Sequence, residues 1–255
     1  MAKKRILVAI LNWGLGHATR SIPIIKELQT QNFEVLLASD GVALELLKKE
    51  FPHLKHYELP SYNINYAKRS SFFSLKILLQ TPHILKTISE ENRVTKALIR
   101  SQKLDGIISD NRWGVYSKLI PSVFITHQLN VLSGATSLIS SKIQQKYIMK
   151  FDECWVPDLE ENNNLSGLLG HLQRSKFKIE YLGILSRFTK QELEKTFDIL
   201  IILSGPEPQR SMLESKLIKE FYSSTGNVVL IKGIIEKEQR ITKMGNLTVY
   251  NFMQS

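Results

Sequence analysis

The residue whose type and position best suit chemistry is His17, which follows the glycine pair of Gly14-Leu15-Gly16. Imidazole titrates near neutral pH and can take a proton from a hydroxyl nucleophile. The two glycines let the backbone turn tightly and approach a ligand. The alternative is a histidine that only caps or packs, and the residue types alone do not decide between the two.

Two further polar pairs, Asp110-Asn111 and His127-Gln128, each follow a short apolar run. Side chains just past the ends of parallel strands meet at one edge of the sheet, where ligands bind in doubly wound folds. Asp110-Asn111 can bind a substrate hydroxyl or cap the next helix. His127-Gln128 can orient a substrate, or His127 can be a buried histidine with satisfied hydrogen bonds.

A second glycine-containing loop covers residues 204–210, with the sequence Ser-Gly-Pro-Glu-Pro-Gln-Arg. Gly205 opens the backbone, the following helix start offers N–H groups to an anion, and Arg210 can pair with a phosphate. The alternative is a proline-rich helix start with a solvated arginine. Neither loop is a dinucleotide fingerprint or a P-loop, since Thr19 stands where the former needs its third glycine and no Gly-Lys-Ser/Thr follows.

The elements that must position these residues alternate between strands and helices, which predicts a doubly wound α/β fold with a parallel sheet. Apolar runs predict strands at 5–11, 33–39, 56–59, 106–109, 122–126, 153–156 and 179–182. Helical patterns begin at His17 and cover 42–49, 71–100 with a break near Pro82, and 138–150.

The pattern then starts again after a polar stretch at 189–196. Strands are predicted at 198–203, 227–231 and 247–252, with a helix at 212–222. We therefore expect two Rossmann-like domains, residues 1–188 and residues 189–255. A complete α/β domain needs about 100 residues or more, so the second is expected to be incomplete and the chain truncated.

Composition narrows the class of protein. The chain has 255 residues, with 34 Lys and Arg against 24 Asp and Glu, a net charge of +10. Basic chains favour polyanions such as phosphorylated substrates, anionic lipid or nucleic acid. The single cysteine, Cys154, excludes a disulfide framework and a multi-cysteine metal site, which favours a reducing compartment. We see no signal peptide and no membrane-spanning run of about 18 apolar residues.

Residues 59–89 contain no Asp or Glu but carry Lys68, Arg69, Lys76 and Lys86 among aromatic and aliphatic side chains. An apolar patch rimmed by basic residues can dock on an anionic membrane, here through residues 62–79. The alternative is a buried helix face with solvated lysines. Nucleic acid is disfavoured, because the aromatic residues cluster with aliphatic ones and are not spaced as stacking platforms.

Five segments together resemble the GT-B glycosyltransferases, in the branch of the MurG-type N-acetylglucosaminyltransferase. They run in family order over nearly the whole chain and comprise residues 14–20, 109–112, 151–158, 181–183 and 204–210. The resemblance implies an N-terminal domain that binds the acceptor and a C-terminal domain that binds a nucleotide-sugar. The two domains would face each other across a cleft.

The resemblance also implies roles for particular residues. His17 would be the catalytic base or would stabilise the transition state. Substrate would be bound by Gly14, Gly16, Arg20, Asp110, Asn111, His127 and Gln128. The donor diphosphate would lie near Gly205, Glu207, Gln209 and Arg210.

The reaction implied is metal-independent transfer with inversion, from a UDP-linked donor to a hydroxyl acceptor. No resident cofactor is expected, because the nucleotide-sugar is a co-substrate, and the sequence has no Asp-x-Asp motif. The acceptor can be lipid-linked, which would place the protein in the cytoplasm or at the inner face of the membrane.

Two other functions stay open. The first is a nucleotide-sugar hydrolase of the kind found in pseudaminic acid biosynthesis, which has a similar Gly-x-Gly-His-x-x-Arg loop. In that enzyme class the histidine would activate water. The second is a non-catalytic fragment that binds only the acceptor or a membrane. The 204–210 loop looks more like the transferases and sets this order.

Overall fold

The computed structural model describes residues 3–63, 73–132, 134–161, 163–205, 207–234, 236 and 238–253. For residues 73–80 and 135 it describes the backbone only. The described residues form two compact units. One takes the residues up to 63 together with 80–188, and the other takes 73–79 and 189–253.

The first unit is built on a seven-stranded parallel sheet with the order β3-β2-β1-β4-β5-β6-β7. The elements up to the middle of the sheet are β1 (Arg5–Ile10), α1 (Gly16–Thr30), β2 (Glu34–Ser39), α2 (Gly41–Glu50), β3 (Lys55–Glu58), α3 (Phe73–Gln102) and β4 (Gly106–Asp110). The remaining ones are β5 (Ser122–Ile125), α4 (Ser137–Ile148), β6 (Glu153–Val156) and β7 (Ile179–Tyr181). This is the α/β arrangement that the alternating pattern predicts.

The central strands are mostly apolar, as expected where both faces of a sheet are covered. On one face, Val8 and Ile10 of β1 pack with Ile22 of α1 and Leu47 of α2. On the other face, Leu7 of β1 belongs to a second buried cluster that includes residues of β2, α3 and β4. A third cluster surrounds residues of β5, α4 and β6.

One local expectation for this unit is wrong, since helix α3 runs unbroken through Pro82. Proline removes one backbone hydrogen bond, and a helix of 30 residues keeps the remaining ones on both sides. Residues 111–121 join β4 to β5 without a helix. Of the two alternatives for Asp110-Asn111, helix capping is therefore excluded.

The second unit contains a four-stranded sheet in the order β10-β11-β9-β8. Its elements are β8 (Ile199–Ile202), α5 (Gln209–Phe221), β9 (Val228–Ile231), β10 (Ile241–Met244) and β11 (Leu247–Tyr250). Strands β8, β9 and β11 are parallel, whereas β10 is antiparallel to β11. Strand β10 is not among the strands predicted from the sequence, although Gly245-Asn246 is a two-residue turn of the kind that joins hairpin strands.

Tyr62 is one of the residues of the membrane patch expected at residues 62–79. Tyr62 is buried and its hydroxyl donates to Glu91 Oε2 at 2.6 Å. Residues 64–72 lie outside the described residues, and for 73–79 only the helical backbone is described. None of the helices in the described part of the chain has the length and apolar character to cross a membrane.

Candidate active site

The loop between β1 and α1 begins the site. Gly14 has φ = +71°, a conformation that favours glycine, whereas Gly16 starts α1 with ordinary geometry. A Cβ atom at either position would meet no atom within 4 Å. No side chain caps the start of α1, so its first N–H groups remain available to an anionic group.

Three neighbouring strands bring the predicted polar residues together. Ile10, the last residue of β1, pairs with Asp110 of β4, and Asp110 pairs with Ile125 of β5. His17 lies just beyond the end of β1 and His127 just beyond the end of β5. The carboxyl edge of the sheet thus carries His17, Asp110 and His127 side by side.

The Asp110 carboxylate is the centre of this cluster and is fully buried. Oδ1 lies 2.8 Å from His17 Nδ1. Oδ2 accepts from Arg20 Nε at 2.8 Å and from Ser21 Oγ at 3.1 Å, and Arg20 also donates to Oδ1 through its Nη2. Because no part of Asp110 is exposed, its carboxylate can act on a substrate through the side chains of His17 and Arg20.

The charge state of Asp110 follows from this environment. Burial alone would raise the pKa of the carboxyl, but Arg20 and His17 outweigh burial and hold the pKa well below its usual range. Asp110 is therefore an anion at neutral pH. His17 Nδ1 can donate to this anion or accept from Arg20 Nη2, which lies 2.9 Å away and can only donate. When Nδ1 donates to Asp110, Nε2 keeps its lone pair. In that tautomer the carboxylate orients an imidazole that can act as a general base.

His127 is held by the same arginine. Arg20 Nη1 lies 2.8 Å from His127 Nδ1, and a guanidinium can only donate. Nδ1 of His127 is therefore the acceptor and Nε2 carries the hydrogen. Partial desolvation of the ring, followed by the positive charge of Arg20, lowers the pKa of His127. At neutral pH this side chain is a neutral donor through Nε2.

Two other predicted residues lie next to the cluster. Asn111 adopts a left-handed conformation with φ = +59°, and its N–H donates to the carbonyl of Ile125 at 3.1 Å. Its Oδ1 is a buried acceptor without a partner among the described residues. Gln128 uses its backbone, whose N–H donates to Thr126 Oγ1 and whose carbonyl accepts from Gln144 Nε2.

In the second unit, the 204–210 loop ends at an arginine that is neither solvated nor unpaired. Gly205 has φ = +107° and space around it, and Gln209 begins α5. Arg210 is buried and already paired, since its guanidinium donates to Glu207, to Glu214 at 2.9 Å and to the carbonyl of Lys232 at 3.2 Å. A diphosphate would have to compete with two carboxylates for this arginine.

Arg112 holds several segments near the site together, a role that its position in the sequence does not predict. It is fully buried and its Nε donates to Glu91 Oε1 at 2.6 Å, while its Nη1 donates to Asp40 Oδ1 at 2.7 Å. It also donates to the backbone carbonyls of Ile10 and Pro60. These hydrogen bonds join the segment after β4 to the end of β1, to the residue before α2 and to α3. Only its place two residues after Asp110 marks it in the sequence.

No group of three or more His, Cys, Asp or Glu side chains within the described ranges is arranged to hold a metal ion. At the carboxyl edge of the first sheet, the positive charge beside the histidines comes from Arg20 and from the start of α1.

Comparisons with known proteins place the fold. No protein-family model matches the chain, and a search of curated protein sequences gives no match. Among solved structures, the glycosyltransferase SnogD from Streptomyces nogalater matches with a TM-score of 0.58 and 12% identity, covering 99% of this chain and 73% of that one. The glycosyltransferase SsfS6 from Streptomyces sp. SF2575, complexed with thymidine diphosphate, matches with a TM-score of 0.50, 14% identity, and coverage of 91% and 70%.

MurG from Acinetobacter baumannii also matches, with a TM-score of 0.47 and 13% identity over 90% of this chain. The chain spans 60% of the length of that MurG. The matches to SnogD and SsfS6 confirm the predicted GT-B-like α/β fold. At these identities they establish the fold alone, and function has to be argued from the site.

Proposed function

We propose that this chain carries the acceptor side and part of the donor side of a glycosyltransferase. Its substrates would be a nucleotide-sugar donor, with UDP as the preferred nucleotide, and a hydroxyl acceptor. The observation that carries the proposal is the 2.8 Å contact between His17 Nδ1 and the buried anion of Asp110. When Nδ1 donates to this carboxylate, His17 Nε2 is available as a base at the edge of the sheet where doubly wound folds bind ligands. The fold shared with glycosyltransferases supports the same reading.

In the proposed reaction, His17 Nε2 removes the proton of the acceptor hydroxyl. The acceptor oxygen forms a bond to the anomeric carbon from the side opposite the leaving group, so configuration inverts. The bond from that carbon to the phosphate oxygen breaks, and the nucleoside diphosphate leaves with the electron pair. Asp110 stabilises the imidazolium that forms, as a buried carboxylate does in other base-carboxylate pairs.

His127 has a complementary task in this proposal. Its Nε2 hydrogen donates to a second oxygen of the substrate, because Nδ1 is held by Arg20 at 2.8 Å. A base on His17 and a donor on His127 would together orient an acceptor that carries two neighbouring oxygen atoms. Gly14 and Gly16 would let the acceptor or donor approach the start of α1.

Binding of the donor diphosphate at Gly205, Glu207, Gln209 and Arg210 remains part of the proposal. The thymidine diphosphate complex of SsfS6 supports a nucleotide-linked donor for proteins of this fold. A lipid-linked acceptor and a cytoplasmic site at the inner membrane face are also proposals and rest on the sequence resemblance. The chain spans 60% of the length of the first structural match, so the complete reaction is a proposal.

The test has two parts. Thermal-shift titration with UDP, UDP-GlcNAc, GDP and dTDP measures donor binding, since a ligand at 100 times its Kd stabilises a fold by about 2.7 kcal/mol. Turnover with the donor that binds is then measured with a panel of hydroxyl acceptors, and the products are separated into glycoside and free sugar. Glycoside supports a transferase, whereas free sugar alone supports the hydrolase alternative, in which His17 activates water.

His17→Ala is the decisive variant and His83→Ala its matched control, because His83 is an exposed histidine on α3. Loss of a general base lowers kcat by about a hundredfold to ten-thousandfold. We expect that loss for His17→Ala with nucleotide binding retained, and unchanged turnover for His83→Ala. Equal turnover in both variants would contradict the proposed role of His17.

A further inference from the structure

A groove on one face of the first unit lies away from the histidine cluster. Right-handed crossovers place α3 and α4 on the same face of the sheet, because both connections step in the same direction along the strand order. The β4–β5 connection steps in that direction too but contains no helix. The space between α3 and α4 is therefore only partly filled.

The short connection fills part of this space with aromatic side chains. Trp113 stacks on Tyr147 of α4, with ring centroids 4.8 Å apart and planes 7° apart. Tyr116 packs against Phe151 at 5.5 Å. Asn92 of α3 anchors the connection by donating to the carbonyls of residues 114 and 116, both at 3.1 Å. The walls of the groove are thus held by specific contacts.

The space that remains is a cavity of about 480 Å³, within the usual size range of small-molecule sites. Its lining comprises Leu85, Ile88, Ser89, Asn92, Arg93, Lys96, Tyr116, Tyr147 and Lys150. Three of these residues are cations and none is an acid. The two acids of α3 at this level point elsewhere, since Glu90 lies 4.0 Å from Lys86 and Glu91 is buried against Arg112.

The cations in the cavity have no counter-ion in the described part of the chain. Arg93, Lys96 and Lys150 form none of the ion pairs found there. Lys150 Nζ lies over the ring of Tyr147 at 4.4 Å and over that of Tyr116 at 5.4 Å. Burial, followed by the nearby Lys146, lowers the pKa of Lys150.

We propose that this groove between α3 and α4 is a binding site for a small organic phosphate, whose phosphate group is held by Arg93, Lys96 and Lys150. Arginine and lysine side chains in the lining of a polar cavity suit a phosphate monoester or diphosphate. The hydroxyl of Ser89 adds a hydrogen-bond donor, and Ile88 and Leu85 offer an apolar wall for the organic part. None of the residues that line the groove belongs to the set proposed for the acceptor or the donor.

The experiment is isothermal titration of the full chain with pyrophosphate and with glucose 1-phosphate at low and high salt. The test variant is Arg93→Gln with Lys96→Gln, and the matched control is Arg100→Gln, an exposed arginine on the same helix outside the groove. A hydrogen bond to a charged group that is lost weakens binding by roughly tenfold or more. We expect such weakening in the double variant only, and weaker binding at high salt in the wild type.

A second arm separates the source of the phosphate. Flotation with vesicles of phosphatidylcholine and phosphatidylglycerol, with and without competing pyrophosphate, tests whether a lipid headgroup occupies the same groove. Flotation that pyrophosphate abolishes would assign the site to a headgroup, and absence of flotation with retained titration would assign it to a soluble phosphate. Either result retains the groove as a phosphate site.

Two outcomes overturn the proposal. One is pyrophosphate binding of equal strength in the double variant and the wild type, which would place the anion elsewhere, for example at the 204–210 loop. The other is no binding of either probe at low salt. His17→Ala should leave the titration unchanged, so failure of this proposal and failure of the proposed transferase activity are distinguishable.

Discussion

Arg20 is the residue that connects the two histidines of the candidate site. Its guanidinium donates to both oxygens of Asp110 and to Nδ1 of His127. Removing its charge takes away one of the causes that lower the pKa of His127. The same change also frees Nδ1 of His127, so that both tautomers of the ring become accessible.

We predict that Arg20→Gln raises the pKa of His127 toward the ordinary histidine value of about 6.5. Long-range nitrogen NMR of the wild type and the variant measures the midpoint and the tautomer. The wild type should show hydrogen on Nε2 and a midpoint below that value. An unchanged midpoint in the variant would mean that Arg20 does not act on His127.

The two glycines of the first loop allow a matched comparison. Gly14→Ala places a side chain at φ = +71° and should destabilise the fold by roughly 1 kcal/mol, because left-handed backbone is strained for alanine. Gly16→Ala meets open space at an ordinary helix position and should leave stability unchanged or slightly higher. Urea unfolding at neutral pH measures both.

Ligand binding separates these glycines in a second way. If substrate approaches the start of α1, Gly16→Ala weakens binding of that substrate although the fold is intact. If the titration of Gly16→Ala equals that of the wild type, the lack of a side chain at position 16 has no function in binding. Gly14 cannot be tested alone in this way, because its variant changes the loop.

At this scale the sequence located the chemistry but not the connections. Position after a strand predicts that His17, Asp110 and His127 meet, and the structure brings them together. It does not predict which of them is buried, because burial of Asp110 depends on Arg20 and Ser21 packing from α1. The sequence also leaves open whether Tyr62 is exposed or buried, because its buried partner Glu91 lies 29 residues away.

At the scale of the elements, Arg112 joins the end of β1 to the residue before α2 and to α3, through Ile10, Asp40 and Glu91. Arg112→Met would leave Asp40 and Glu91 buried without their cation. Breaking a buried ion pair from one side costs about 3–5 kcal/mol, so we predict a loss of that size in the free energy of unfolding. Urea denaturation measures it, with Arg100→Met on the exposed side of α3 as the control.

Removing one of the two carboxylates tests whether charge is the cause. If Arg112→Met is destabilised by unpaired carboxylates, adding Glu91→Gln should recover part of the loss, because one buried anion is removed. A double variant that is less stable than Arg112→Met by the full effect of the second change would argue for shape and hydrogen bonding as the main contribution of the network.

Sequence reasoning worked well for elements with a strong period and poorly where an element depends on its neighbours. Buried strands such as β1 are continuous apolar runs, and these were found. Strand β10 carries exposed residues and exists because it pairs with β11. The β4–β5 connection has no helix although the alternating pattern favours one, and only the packing of Trp113 and Tyr116 explains how the space is used.

For the molecule as a whole, strand β8 has a distinctive exposure. Among the described residues it lies at an edge of the second sheet, and Leu200 and Ile202 are 53% and 66% exposed. Exposed apolar edge strands promote association. We predict concentration-dependent self-association of this chain, measured by sedimentation velocity, that Leu200→Thr with Ile202→Thr reduces. An unchanged distribution in the variant would exclude β8 as the contact.

Cys154 offers a probe of global unfolding. It is buried in the first unit, and burial raises the pKa of its thiol to about 12. The thiolate is the reactive form, so we predict negligible labelling by a disulfide reagent at pH 8 in the folded state and rapid labelling in denaturant. Labelling of the folded chain as fast as in denaturant would show that the first unit opens readily.

The Arg112 network also bears on how the first unit can be divided. Its acceptors come from Ile10, Asp40, Pro60 and Glu91, so one guanidinium joins positions up to 102 residues apart in the chain. A piece of the unit that lacks residue 112 would keep the two acids and lose their cation. Cutting, permuting or exchanging segments within this unit should therefore fail wherever the cut separates the arginine from its acids, and such joins are better placed after β5.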